Sequence, residues 1–240
     1  MHFLWQELRV AIPLITHGNP QLLGVIGFTL QVAAIATVAA TVLGVPIGLA
    51  LALGRFRGRR VLRAAANVSL GLPPVLVGSI LFIFLAGNAP GGALHLIFTR
   101  RVVFIAQTIL ALPYTVAFTA AAVEGLPAGL LGQARLLGAD RLQLALLAMR
   151  EARVGIMAAV LASLGSALSE VAAVAILGGN LYEYNQTLAS ATLYEVDGGN
   201  YPNAIAIAIV LIVMIVVLMC GLGLLQQRGG GVRLRFRSAR

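Results

Sequence analysis

Ser163, Ser166 and Glu170 recur at i, i+3 and i+7, with Ser169 beside them, inside an otherwise apolar run. On a helix those positions share one face, and an ionisable group in such a run is costly enough to imply a protein-facing role. The chemistry on offer is hydrogen bonding and gating rather than bond breaking. No Ser/His/Asp set, nucleophilic cysteine or carboxylate pair stands in a catalytic arrangement, so the chain is not expected to be an enzyme. His2, His17 and His95 are scattered without ligand spacing, and no metal site is expected. The single cysteine, Cys220, rules out a disulfide framework within one chain and is expected to be a small core residue.

The elements that position these residues are membrane spans. With 60% hydrophobic residues, 10% charged ones and a mean hydropathy of +0.95, the chain exposes too little polar surface to cover a soluble globule. Apolar runs of bilayer length predict five helices, near Gly24–Gly54, Val61–Gly87, Val102–Val123, Val154–Leu177 and Ala204–Leu225. The chain has no lysine, and its arginines alternate with these runs. One cluster (Arg55, Arg57, Arg59, Arg60, Arg63) follows the first span, a second (Arg135, Arg141, Arg150, Arg153) the third, and a third (Arg228, Arg233, Arg235, Arg237, Arg240) the fifth. Only Arg9, Arg100 and Arg101 fall on the other side. The positive-inside bias then places the N-terminus outside and the C-terminus inside. A pI near 11.2 is explained by juxtamembrane arginine and anionic lipid, so no nucleic-acid partner is expected. Residues 1–23, with Trp5 among charged and apolar positions, read as an amphipathic interfacial segment; a signal peptide is the competing reading, against which Glu7 and Pro13 interrupt the apolar run. Residues 24–226 form the transmembrane domain, and residues 227–240 a basic tail.

Three segments interrupt this pattern. Gly44, Pro46 and Gly48 predict a bend or tilt in the first span. Pro73 and Pro74 remove two successive donors and, with Gly78 following, predict a break in the second; a pathway element and a packing kink are equally consistent with it. The stretch 124–153 reads as helix-turn-helix, in which Gly138, Ala139 and Asp140 end one helix and cap the next. Its leucines would dock on a partner or lie in the inner leaflet. The loop 181–202, with Tyr182, Tyr184, Tyr194 and Tyr201, would face a partner or anchor at the interface.

Residues 132–141, Gly-Gln-Ala-Arg-Leu-Leu-Gly-Ala-Asp-Arg, resemble the EAA loop (Glu-Ala-Ala, three residues, Gly) of permease subunits of binding-protein-dependent ABC importers. Ala134 and Gly138 fit, while Gly132 and Gln133 stand where that motif has Glu and Ala. Leu72–Val75, Gln107–Pro113, Arg150-Glu151-Ala152-Arg153 and Gly178-Gly179-Asn180 resemble the oxyanion branch, most closely tungstate permeases; Ser166 and Gln186 stand where that group has Arg.

The resemblance implies an all-α integral membrane protein with the type I importer (MetI-like) permease fold. It also implies a homodimer, two ABC ATPase subunits that bind ATP and Mg, and an extracytoplasmic oxyanion-binding protein. Gln133, Ala134, Arg135, Gly138, Ala139, Asp140 and Arg141 would couple to the ATPase. Pro73, Pro74, Gly78, Ser163, Ser166, Ser169, Glu170, Gly178, Gly179 and Asn180 would line or gate the pathway. Because Glu170 would repel a divalent oxyanion, it is expected to be a structural partner or gate, while hydroxyls and the amides near Gly178–Asn180 suit a brief anion contact. The expected cargo is tungstate, with molybdate or a sulfate-like oxyanion as alternatives. Independently of any resemblance, a chain without lysine cannot supply a P-loop and is not itself the ATPase. An ATPase-independent channel or secondary carrier is the other class, disfavoured by five spans without an internal repeat.

Overall fold

In the computed structural model, residues 20–127 and 129–229 are described, together with Val10 and Pro13; most of the interfacial segment 1–23 and most of the tail 227–240 therefore lie outside the described residues. From Pro20 to Gly229 the described residues form ten α-helices and a 3₁₀ turn joined by short loops, with no strand. They are α1 (Pro20–Leu53), α2 (Arg59–Ser69), α3 (Pro74–Leu85), α4 (Arg100–Glu124), α5 (Leu130–Leu136), α6 (Arg141–Glu151), α7 (Arg153–Ser169), α8 (Ala172–Gly178), α9 (Leu188–Asp197) and α10 (Tyr201–Gly229). α1, α4 and α10 are each long and apolar enough to cross a membrane, and the pairs α2/α3 and α7/α8 are bent pairs that supply the other two predicted spans.

The second span breaks where the prolines stand. α2 ends at Ser69, Pro73 is extended (φ −60°, ψ 125°), Pro74 starts α3, and the two axes meet at 108°. α2 buries none of its residues, so it runs as a basic amphipathic helix rather than as the first half of a straight span.

The fourth span departs from expectation. It is not one helix over Val154–Leu177 but two, bent by 57° at Glu170, which is extended (φ −77°, ψ 127°). Glu170 therefore does not continue the helical face of Ser163 and Ser166. No proline marks this break; Glu170 Oε1 accepts the Ala173 amide at 2.9 Å and so satisfies a donor in the first turn of α8.

α1 and α4 form the spine of the bundle. A Cβ at Gly44 would sit 2.7 Å from Thr115 Cβ, and one at Gly48 2.7 Å from Thr119 Cβ and 2.8 Å from the Val116 carbonyl. The small residues thus let two backbones approach closely, the usual device of helix pairs in lipid. α7 adds to this pair through Gly155 against Ala122, and α10 packs Met214, Leu218 and Met219 against Ala33, Leu164 and Leu168. Most of α10 is otherwise uncovered, and Cys220 is exposed rather than a core residue.

The predicted loop 181–202 contains α9, a ten-residue helix. Thr187 and Ser190 form a reciprocal cap at its start, and the Leu188 amide donates to Thr29 Oγ1 of α1 at 2.9 Å, so the helix is anchored to the bundle at its first turn.

Candidate functional site

One end of the bundle gathers the first two arginine clusters. Arg59 donates to the Leu51 and Ala52 carbonyls that α1 leaves open at its C-terminus, and both Arg59 and Arg63 pair with Glu124 at the end of α4. Arg100, in contrast, lies at the opposite end of α4, its guanidinium 5.1 Å from the ring centres of both Phe28 and Tyr184 and its Nε donating to the Tyr184 carbonyl.

The turn between α5 and α6 stands at the arginine-rich end. The Ala139 amide donates to the Ala134 carbonyl and the Gly138 amide to the Arg135 carbonyl, both at 3.0 Å, with Gly138 at φ +89°. This is a Schellman C-cap, and it explains the spacing of Ala134 and Gly138: one supplies the outermost carbonyl, the other the left-handed residue. Asp140 then accepts the Gln143 amide at 2.8 Å while Gln143 Oε1 accepts the Asp140 amide at 2.9 Å. Gln133 and Arg141 flank this turn, exposed to solvent.

Two caps back to back make a stiff projection with two unlike faces. Leu144, Ala148 and Ala152 are buried, and Ala148 and Ala152 pack against Val45 and Leu49 of α1 and Val123 of α4. Leu136 and Leu137, at 90% and 89% exposure, together with Leu142, Leu146 and Met149, remain uncovered. Arg150-Glu151-Ala152-Arg153 is the joint by which this projection continues into α7: α6 ends at Glu151, α7 begins at Arg153, and only buried Ala152 lies between.

The half-helices that follow the two breaks, α3 and α8, pack on each other. A Cβ at Gly78, one turn into α3, would lie 3.1 Å from Ala173 Cα, the residue whose amide Glu170 holds. Gly78 thus forms the contact between the half-helices α3 and α8; Pro73 and Pro74 stand at the start of α3, and Glu170 just before α8. Ser163 is fully buried and donates to the Val160 carbonyl, Ser166 is half-buried, and Ser169 is exposed and bonded to the Gly165 carbonyl.

Gly178, Gly179 and Asn180 lie elsewhere, at the end of α8, in a turn that is partly hydrogen-bonded within itself. The Gly179 amide donates to the Ala175 carbonyl, and the Leu181 amide to Asn185 Oδ1 at 2.8 Å. Asn185, which sequence reasoning passed over, organises this turn, since its Nδ2 also donates to the carbonyls of Gly178 and Phe98. Asn185, Gln186, Thr187 and Ser190 are all buried; a polar run of that length beside a glycine pair was the available signal. Outside it, Tyr182 stacks on Tyr194 at 5.8 Å, and partial burial, with Glu183 and Glu195 nearby, holds the Tyr182 phenol above its ordinary pKa. Among the described residues no group of three His, Cys, Asp or Glu side chains is placed to hold a metal.

The segment that resembles the EAA loop is a capped Ala134–Gly138 turn projecting from a bundle with two broken spans. Residues 44–229 match the family described as binding-protein-dependent transport system inner membrane component. The chain belongs to that family. This permease is 36% identical over 191 residues to a probable anion ABC transporter permease protein of Haloferax volcanii, a match covering 78% of the chain and 82% of the relative. It is 28% identical over 207 residues to the tungstate uptake system permease protein TupB of Peptoclostridium acidaminophilum, covering 86% and 91%. Among solved structures, a bacterial alginate ABC transporter superposes with a TM-score of 0.76 at 15% identity over 95% of this chain and 88% of the other. The MetNI methionine ABC transporter superposes with a TM-score of 0.64 at 18% identity over 86% and 93%. The permease therefore has the MetI-like type I importer fold that its sequence predicted.

Proposed function

We propose that this permease carries a tetrahedral oxyanion, tungstate first and molybdate second, across the cytoplasmic membrane, driven by a separate ATPase. The observation that carries the transport reading is the stiff turn around Gly138, which presents uncovered Leu136 and Leu137 at the arginine-rich end while its other face is locked into α1 and α4. The cargo is supported by the relatives, which are named for anion, tungstate and molybdenum transport. The arginine-rich end faces the cytoplasm by the positive-inside bias, placing the N-terminus outside.

ATP and Mg act on two partner ATPase subunits, into which the α5–α6 turn of each permease seats. Their closure moves α6, and the Ala152 joint passes that motion to α7 and the break at Glu170. A second copy of the chain covers the α2/α3 break: Gly71, Leu72 and Pro73 are exposed in the single chain, and freed backbone groups facing lipid would cost several kcal/mol each. Glu170 serves as a structural element of the gate, its carboxylate engaged by α8. An extracytoplasmic binding protein delivers the anion.

Gentle detergent purification of the tagged permease from its native host tests this reading. An ATPase subunit in about equal amount, with tungsten or molybdenum on a co-eluting binding protein, is expected. A stable permease without a nucleotide-binding partner would overturn it in favour of a channel or carrier.

A further inference from the structure

A groove of about 680 Å³ opens at the arginine-rich end, between the last turns of α1 and the start of α6. Its floor is apolar, with Leu49, Ala50 and Leu53 of α1 facing Leu144 of α6. Its rim carries Arg55, Arg135 and Arg141. These come from separate stretches of chain and converge only in the fold.

The rim is uncompensated. Among the described residues the ion pairs are those of Arg59 and Arg63 with Glu124, so Glu124 is already shared by two other cations. Asp140, next to Arg141 in sequence, spends its carboxylate on the Gln143 amide. Three guanidinium groups thus surround one opening without a carboxylate partner. Like charges held together in this way repel one another, and an anion among them would relieve that repulsion.

The floor says what kind of anion. A free phosphate would neutralise the rim but leave the exposed apolar lining, Pro46, Ala50 and Phe56, against water. A phosphodiester carrying an acyl chain matches both parts, and the groove lies where α1 passes from its apolar run, at Leu53, to Arg55. That is the depth of lipid headgroups, and basic pockets between helices at this depth are suited to anionic headgroups. The leucines most exposed for a protein partner, Leu136 and Leu137, do not line the groove, whereas Arg135 and Arg141 belong to the turn proposed to seat in the ATPase, so the lipid would lie directly beside that contact.

We propose that this groove binds one anionic glycerophospholipid, its phosphodiester among Arg55, Arg135 and Arg141 and an acyl chain along Leu49 to Leu53. Bound there, the lipid ties the end of α1 to the α5–α6 turn. The inference is independent of the cargo, since it concerns only the permease and its bilayer.

The test is native mass spectrometry of the purified full chain, released from nanodiscs of phosphatidylcholine containing phosphatidylglycerol. Wild-type protein is expected to retain phosphatidylglycerol over phosphatidylcholine, and Arg55→Gln to lower that retention about fivefold, the effect of one arginine near a membrane surface. Ala50→Trp, which fills the exposed floor without changing charge, is expected to lower retention of the lipid but not binding of inorganic phosphate. Equal retention in wild type and both variants would overturn the proposal. So would displacement of the lipid by inorganic phosphate at matched concentration, which would make the site one for a free anion.

Discussion

Gly138 is the residue on which the projecting turn depends. Its φ of +89° is a backbone conformation that L side chains adopt at a cost, yet a Cβ there would meet nothing within 4 Å. The requirement is therefore conformational rather than steric. Gly138→Val is expected to destabilise the turn by about 1–2 kcal/mol, and Gly138→Asn by less, because asparagine tolerates the left-handed region. Gly138→Trp meets the same backbone cost and adds bulk at a turn outside the spans, so it should insert in the membrane normally and yet abolish stimulated ATPase activity in the assembled transporter. Membrane fractionation and ATPase assays check both halves; normal stimulation in the Trp variant would sink the coupling role. Glu170 shows the opposite balance: its charge drew attention in the sequence, but its partner, the Ala173 amide, was hidden because a helix break without proline leaves no periodic trace.

At the scale of elements, close packing of α1 on α4 supports everything else. Gly48→Leu would drive a side chain into Thr119 and the Val116 carbonyl, whereas Gly27, on the same helix, has open space around it. Overpacking of this kind costs about 1–3 kcal/mol. Gly48→Leu is expected to lower the thermal unfolding midpoint in detergent, with Gly27→Leu close to wild type. Equal melting of the two variants would mean that the helices can separate without loss. The Gly44/Pro46/Gly48 cluster was legible as a peculiarity of α1, but its partner was not, since nothing in the spacing of Thr115 and Thr119 points to a helix more than 60 residues away. α9 was missed for a related reason: its tyrosines and acidic residues read as loop, and its anchor, Thr29, lies more than 150 residues away.

For the whole molecule, the expected orientation is open to direct measurement. Arg57 and Tyr182 are exposed at opposite ends of the bundle. In a Cys220→Ser background, a membrane-impermeant thiol reagent added outside intact cells should label Tyr182→Cys and not Arg57→Cys. The reverse pattern would invert the topology and place the Gly138 turn out of reach of a cytoplasmic ATPase. The α2/α3 elbow belongs to this scale too, because the proposed second copy is what would shelter a break that is exposed in one chain.

The sequence by itself determined the membrane class, the number of apolar segments, the proline break and the two-helix turn, because each of these follows from local composition, spacing or a missing backbone donor. Tertiary structure decided what those features do together. It spent the Gly179 and Leu181 amides on turns, made Glu170 a helix start, drew Gly78 onto Ala173, and collected Arg55, Arg135 and Arg141 around one groove. The physical reason is that hydrogen-bond satisfaction and close packing in a bundle are settled between residues far apart in the chain, where periodicity carries no information.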